Sequence, residues 1–538
     1  MNLDNSFILS KKTAFYSYRI FYVVLLALGW STTVSGLLHA DITLPRVFGD
    51  NMVLQRDKPV PVWGKADPGE KVTVGFAAQE KSTTAGDDGS WQVTLDPLPA
   101  NKTPQSCVVS GKNKLTLENV LVGEVWLCSG QSNMEWLVDK CANPEEEKAV
   151  ANFPEIRHFK VPRTSSAFPQ ADTKANWQVC SPTTVGGFSA VAYYFARELF
   201  QKLDVPIGLL HSSWGGTSIE VWMSPESVAT VPQLAELQAK VFSQSSLSPE
   251  GKKRHEEYLA ELKKWTAATE VALAKNQPVT EPPAVPWPAW DNPQPTQLYK
   301  GMIHPLAPFA MRGAIWYQGE SNGSDDAIYL NKLQALIGGW RTKWNQGDFP
   351  FYIVQLANFS KASDDGKTWS KVREAQIAAL TSIPNTGLAV TIDIGETKDI
   401  HPKNKQDVGK RLALWALAGP YGKDINPSGP LYKGYSVEGS KIRISFNHAK
   451  EGLMIGKKEG LAAVVPEADG KIKWLEIAGE DQQFKRADAA IEGGELLVSS
   501  PEVPSPVAVR YAFKQDPAGA NLYNAEGLPA SPFRTDLW

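Results

Sequence analysis

The stretch Leu121–Trp136, LVGEVWLCSGQSNMEW, decides how the chain is read. Its first half, with Val122, Val125, Trp126 and Leu127, is an apolar run rich in β-formers and predicts a buried strand. The run stops at Ser129-Gly130-Gln131-Ser132-Asn133, small and polar residues suited to a tight turn. A serine at the mouth of a strand sits on a rigid support and is open to a substrate, so Ser132 is a candidate nucleophile. An ordinary polar strand-to-helix loop accounts for this stretch, taken alone, equally well.

Upstream, residues 41–119 are short β-type runs separated by turns, such as PVPVWGKADPGEKVTVGF and GDDGSWQVTLDPL, with Asp67-Pro68-Gly69 and Asp88-Gly89 as punctuation. They predict a small N-terminal β-sandwich. Before them, Lys11, Lys12 and Arg19 precede the apolar run Ile20–Trp30 and the small residues Ser31–Gly36, the order of a secretory signal over residues 1–40. The run is shorter than the ~20 apolar residues that a membrane span needs. No second apolar stretch is long enough, so an exported protein, periplasmic or extracellular, is expected.

Downstream of Ser132, strands and helices alternate. Phe188–Leu203 has apolar residues at helical spacing, with Ser189 as N-cap, and runs into the strand Val205–Leu210 and the loop His211–Ser218. Arg312–Gln318, Phe351–Leu356 and Gly387–Ile394 read as strands; Tyr329–Trp344, Trp369–Ile383 and Asn404–Ala418 read as helices. This is a doubly wound α/β domain over 120–420. It is interrupted at 225–296 by a charged helical arm and a proline-rich loop carrying Trp287 and Trp290. Beyond Gly419 the helices stop, and 421–538 is a β-rich region expected to pack against the N-terminal sandwich.

Composition narrows the function classes. The 538 residues carry 55 Lys and Arg against 58 Asp and Glu, interspersed, which excludes the basic stripe of a nucleic-acid binder. The 18 tryptophans fit packed cores, and also a protein that stacks indoles on sugar rings. Four cysteines, Cys107, Cys128, Cys141 and Cys180, are too few for a disulfide scaffold. Cys128 reads as a buried thiol, and Cys141 with Cys180 as the candidate bridge. No Cys/His spacing suggests a metal, and no cofactor is expected.

Serine hydrolysis needs a nucleophile, a base, a group that orients the base, and donors for the oxyanion. A second serine competes: Gly319-Glu320-Ser321-Asn322-Gly323 matches G-x-S-x-G in strand–turn–helix context. Of the seven histidines, His39 lies at the signal boundary, His255 in the charged arm, His158 in an irregular segment and His448 in the C-terminal region. His211, His304 and His401 remain. Only His401 has a carboxylate, Asp399, two residues away on the same loop, where it can hold the imidazole tautomer.

Gly130-Gln131-Ser132-Asn133-Met134, Trp214-Gly215-Gly216-Thr217, Gly319-Glu320-Ser321-Asn322 and Asp399-Ile400-His401 follow in the order of an SGNH hydrolase. With IWYQGESN, DIHPKNK and YKGMIHPL around them, the chain resembles the sialate O-acetylesterase family of carbohydrate esterases, from about Leu44 to the C-terminus. The resemblance implies a three-layer α/β/α domain with a parallel sheet and β-sandwich-type flanks. It implies Ser132 as nucleophile, His401 as base and Asp399 as its orienter. It also implies an oxyanion hole from the Ser132 N–H, the Gly215–Gly216 block and the Asn322 amide. Gln131, Trp214, Gln318, Glu320 and His304 are then candidate substrate contacts. The family commonly spaces acid and base as D-x-x-H, whereas this chain has D-x-H, so a Ser132–His401 dyad stays open. The expected reaction is removal of O-acetyl groups from sialic acids by acyl transfer. Xylan or another acetylated glycan is the alternative substrate, and an inactive carbohydrate-binding protein the alternative class.

Overall fold

A computed structural model describes residues 41–286, 292–360 and 368–538. The segment read as a signal, and Trp287 and Trp290, lie outside the described residues. The first strands are β1 (Val53–Gln55), β2 (Val60–Lys65), β3 (Lys71–Phe76), β4 (Gln79–Thr84), β5 (Ser90–Leu95), β6 (Asn101–Ser110) and β7 (Lys114–Gly130). Next come α1 (Ser132–Glu135), α2 (Pro144–Ala149), β8 (Ile156–Lys160), β9 (Trp177–Val179), α3 (Ala190–Leu203) and β10 (Ile207–Ser213). The arm holds α4 (Pro225–Ala229), α5 (Ala235–Gln244) and α6 (Pro249–Ala274). The alternation resumes with β11 (Gly313–Tyr317), α7 (Ile328–Trp344), β12 (Phe351–Val354), α8 (Thr368–Ser382), β13 (Thr386–Ala389) and α9 (Lys405–Ala418).

The central sheet has the order β13-β12-β11-β7-β10-β8-β9. Every neighbouring pair is parallel except β8 with β9. Successive residues of β7 serve opposite faces, as the pleat requires. Trp126 and Cys128 pack with Phe195 of α3 and Leu412 of α9. Val125 and Leu127 share a core with Leu336 of α7 and Val372 of α8. With helices on both faces of a mostly parallel sheet, the class is α/β.

β7 is one uninterrupted strand through two environments. From Lys114 to Asn119 its residues alternate between exposed and half-buried; from Val120 to Gly130 every one is buried. The first half pairs antiparallel with β6, and Leu121–Gly123 pair with β1. The second half lies between β10 and β11, with Leu127 opposite Leu210 on one side and Ala314 on the other. Burial on both faces is what a parallel strand under helices demands, and it explains the apolar run in the sequence. The strand crosses residue 119–120 with an irregular register against β6, Asn119 standing at φ +57°.

Glu124 stands where the two halves meet. It is fully buried. Its carboxylate accepts from Arg56 Nε at 2.5 Å, Arg312 Nε at 2.7 Å and Gln55 Nε2 at 3.0 Å. The charge is buried with its partners, which is how a buried carboxylate is tolerated.

The C-terminal region is β-rich. Leu431–Glu438, Lys441–Asn447, Glu495–Ser499 and Asp488–Glu492 form one antiparallel sheet. Side chains tie it to the α/β domain. Arg373 of α8, fully buried, donates to Lys514 O at 2.6 Å and Gln515 O at 2.8 Å, and Arg534 pairs with Glu374 at 2.6 Å. All four cysteines are free and buried. The candidate pair is not bridged, because Cys141 Sγ lies 2.9 Å from Tyr194 Oη and Cys180 Sγ faces Ala151 O at 3.7 Å. The long helix α6 buries only Gly251. Among the described residues no helix is long and apolar enough to cross a membrane.

Candidate active site

The site lies at the carboxyl ends of β7, β10 and β11, where open α/β sheets leave their crevice. Gly130 ends β7 with φ +141°, and a Cβ there would come within 2.1 Å of Tyr317 O. Only glycine fits that turn. The backbone is then pinned on both sides, Gln131 N donating to Tyr317 O at 3.0 Å and Trp214 N to Gly130 O at 3.1 Å. Ser132 opens the short helix α1 and is half-buried.

His401 arrives from the loop between β13 and α9. That loop is anchored by Arg411 of α9, whose guanidinium donates to both oxygens of Asp393 at 2.6 and 2.8 Å. Asn404 caps α9, its Oδ1 accepting from Asp407 N at 3.0 Å. The result joins residues 269 positions apart: His401 Nε2 lies 2.8 Å from Ser132 Oγ. Asp399 Oδ1 accepts from the His401 backbone N–H at 2.9 Å and stands 3.7 Å from Nδ1. The carboxylate thus fixes the loop by a hydrogen bond and faces the imidazole at ion-pair distance. Burial, with the Lys405 charge second, holds the His401 imidazole below its ordinary pKa, against the opposite pull of Asp399.

Gly215 follows β10, and a Cβ on it would meet Ser132 Cβ at 3.0 Å. Its N–H donates to Glu135 Oε2 at 2.8 Å, and Glu135 is clasped by Arg163 through two bonds of 2.8 and 2.6 Å. The Gly215 N–H therefore points at an anionic oxygen beside Ser132. Among the described residues no group of three or more His, Cys, Asp or Glu side chains is placed to hold a metal.

Comparison with known proteins identifies the family. Residues 122–277 and 286–418 match the family described as carbohydrate esterase, sialic acid-specific acetylesterase. The chain belongs to that family. The rat sialate O-acetylesterase is 30% identical over 90% of this chain and 92% of its own length. The human one is 28% identical over 90% and 91%. A crystal structure of a carbohydrate acetylesterase from Xanthomonas citri superposes with a TM-score of 0.77 at 37% identity, over 93% of this chain and all of that one. The family is one of carboxylic-ester hydrolases, and Ser132 and His401 lie within the matched span or its flanking loop.

Other residues singled out in the sequence fall differently within this esterase. Asn322 was expected to aim its amide at the oxyanion. Both amide protons are instead committed, to Glu220 Oε2 at 3.1 Å and Asp325 Oδ2 at 2.7 Å, while Oδ1 accepts from Ile219 N at 2.9 Å and Gln318 Nε2 at 2.6 Å. An amide with every proton used by carboxylates braces its loop and has none left for a substrate. Gln318 is likewise committed, its Oε1 accepting from Tyr329 Oη at 2.7 Å. His304 bonds to Gln170 O at 2.9 Å and to Lys343 Nζ at 3.1 Å, away from the serine's partners. His211 is not in a loop but in β10, buried, 2.6 Å from Ser213 Oγ, and burial pushes it down to about 3. Ser321 is exposed, and among the described residues no histidine bonds to it; its N–H donates to Gln131 Oε1 at 3.3 Å. Gln131 and Glu320 do border the site. Trp214 is half-buried under the Arg163 guanidinium, 5.6 Å from the ring centre, and Gly216 is exposed beside it.

Three participants were not foreseen. Trp136 stacks on the His401 ring, with centroids 4.7 Å apart and planes 15° apart. Asn133, the residue after Ser132, bonds to Lys405 and to Ile400 O. Trp136 was readable as an aromatic next to the turn, but no spacing in the sequence marks Asn133 or Lys405 as buried partners of a loop 267 residues away.

Proposed function

We propose that the chain is a serine O-acetylesterase acting on acetylated sugars, first of all sialic acids. The observation that carries the reading is the 2.8 Å contact between His401 Nε2 and Ser132 Oγ at the carboxyl edge of the sheet. His401 takes the Ser132 proton as Oγ attacks the acetyl carbonyl. The tetrahedral oxyanion collapses, the C–O bond to the sugar breaks, and the departing oxygen takes the proton from His401. Water, deprotonated by the same imidazole, then cleaves the acyl-serine to acetate. The N–H groups of Ser132 and Gly216 are the proposed oxyanion donors, since the Gly215 N–H is held by Glu135 Oε2 at 2.8 Å. Asp399 restrains the base loop, so the pair works chiefly as a dyad. We read the domain as the three-layer SGNH fold with residues 41–119 as a β-sandwich flank, and residues 1–40 as an export signal to the periplasm or beyond.

A second substrate class rests on one comparison. The Xanthomonas carbohydrate acetylesterase, at 37% identity, resembles this chain more than the mammalian sialate O-acetylesterases do, at 28–30%. Acetylated xylan or a related glycan is the substrate on that reading. Acetate release from acetylated sialosides and acetylated xylan, measured side by side for the wild type and Ser132→Ala, tests both. Equal release by the Ser132→Ala protein would remove the reading altogether.

A further inference from the structure

Lys405, the first residue of α9, is fully buried. Among the described residues no carboxylate lies within ion-pair distance of its ammonium, which donates to Asn133 Oδ1. It also faces the rings of Tyr317, at 5.3 Å, and Trp136, at 6.0 Å. A lysine so placed, at the positive end of a helix and out of water, works against both solvation and the helix dipole. Such a residue carries a cost that packing alone does not explain.

Its contact orients Asn133. An ammonium can only donate, so the Asn133 oxygen must face it and the amide protons must face the other way. There they meet two acceptors, Glu320 Oε1 at 2.5 Å and the backbone oxygen of Ile400 at 3.0 Å. Asn133 follows the nucleophile in the chain and Ile400 precedes the base. One amide therefore ties the turn carrying Ser132 to the loop carrying His401. Glu320 Oε2 is buried and, among the described residues, has no hydrogen-bond partner.

We propose, building on the esterase reading above, that Lys405 is a positioning residue: through Asn133 it fixes the separation of Ser132 and His401, and its ammonium is the charge that faces the imidazole from the helix side. The other titratable groups around this pair are Asp399 and Glu396 on the base loop, Lys140 beyond Trp136, Glu320 after β11, and the Cys141 thiol, which burial keeps neutral. Burial lowers Lys405 itself to about 7, so its charge is set in the range where the base works. While charged, it keeps His401 unprotonated at lower pH.

The test compares Lys405→Gln, which keeps a donor for Asn133 but no charge, with Lys405→Met, which keeps neither. Acetyl-ester turnover is followed against pH, and the His401 imidazole is titrated by NMR in each folded protein, its signal identified by loss in His401→Gln. Both variants should move the acid limb of kcat/KM and the His401 titration upward by roughly one pH unit. Lys405→Met should lose more kcat than Lys405→Gln at nearly constant KM. Folded variants in which neither limb nor titration moves would overturn the proposal. Should both fail to fold, Asn133→Asp keeps the acceptor for Lys405 and removes the donor to Ile400; unchanged kcat and an unchanged limb in that protein would overturn it equally. Because the NMR titration needs no turnover, it separates failure of this proposal from failure of the esterase reading.

Discussion

Glu124 and Lys405 are both fully buried charged side chains, and their surroundings differ in kind. Glu124 has two guanidiniums and an amide on its carboxylate, from β1, from the residue after β1 and from the residue before β11. Lys405 has one amide oxygen and two aromatic faces. Glu220 belongs with Glu124: Lys332 and the Asn322 amide surround it. A buried charge whose partners are complete holds elements together and leaves nothing over. One whose partners are incomplete leaves field and hydrogen-bonding capacity directed at whatever stands next to it, here the His401 loop. The difference separates scaffold from chemistry within one domain.

The comparison breaks or sharpens under substitution, and the largest effect is at the serine. Ser132→Ala should lose turnover on a simple acetyl ester by roughly 10⁴-fold or more with unfolding unchanged. Ser321→Ala on the same ester should stay within about twofold, since no nucleophile is touched. The reverse result would return the chemistry to the G-x-S-x-G turn. Next, Asp399→Asn should cost less than the roughly 10⁴-fold that follows loss of a triad aspartate bonded to its histidine, because the carboxylate here is 3.7 Å from Nδ1. Parallel kinetics of Asp399→Asn and His401→Ala read this; equal losses would mean a strict triad. Third, Glu124→Gln should cost about 3–5 kcal/mol in urea unfolding, since it leaves buried guanidiniums uncompensated, while kcat of the folded fraction stays near wild type. A kinetic loss without a stability loss would erase the distinction drawn above. The smallest effect is in pH dependence. His401 must be neutral to act, and burial and Lys405 hold it below 6.5, so the acid limb of kcat/KM should fall below pH 6.5. A limb at or above 6.5 would mean that the imidazole is not the base or is not desolvated.

Much of this molecule was readable from local pattern. The α3 cap at Ser189, the α9 cap at Asn404 and the strand–turn at Gly130 are local events, decided by residues within a few positions of one another. His401 was singled out among seven histidines by Asp399 two residues away, and the resemblance gave it the part of base; its Nε2 lies 2.8 Å from Ser132 Oγ. What the sequence hid is long-range. Asn322 looked like a free amide because Glu220, 102 residues away, is not visible from its neighbours. Nothing in the sequence marks Lys405 as buried, since a lysine at the head of an amphipathic helix is usually solvated. The continuity of β7 was hidden by a change of period, alternating before Val120 and mostly apolar after it.

That continuity has a bearing on how the chain is made. Synthesis runs from the N-terminus, so the small β domain and the whole of β7 leave the ribosome early. β10 begins only at Ile207 and β11 only at Gly313. At ~5–20 residues per second, the nascent chain carries a mostly apolar strand end without its flanking strands for on the order of ten to forty seconds. One edge of its first half is already covered by β6, while the end that leads into Ser132 waits for both neighbours. During that interval its unpaired edges are open to mispairing.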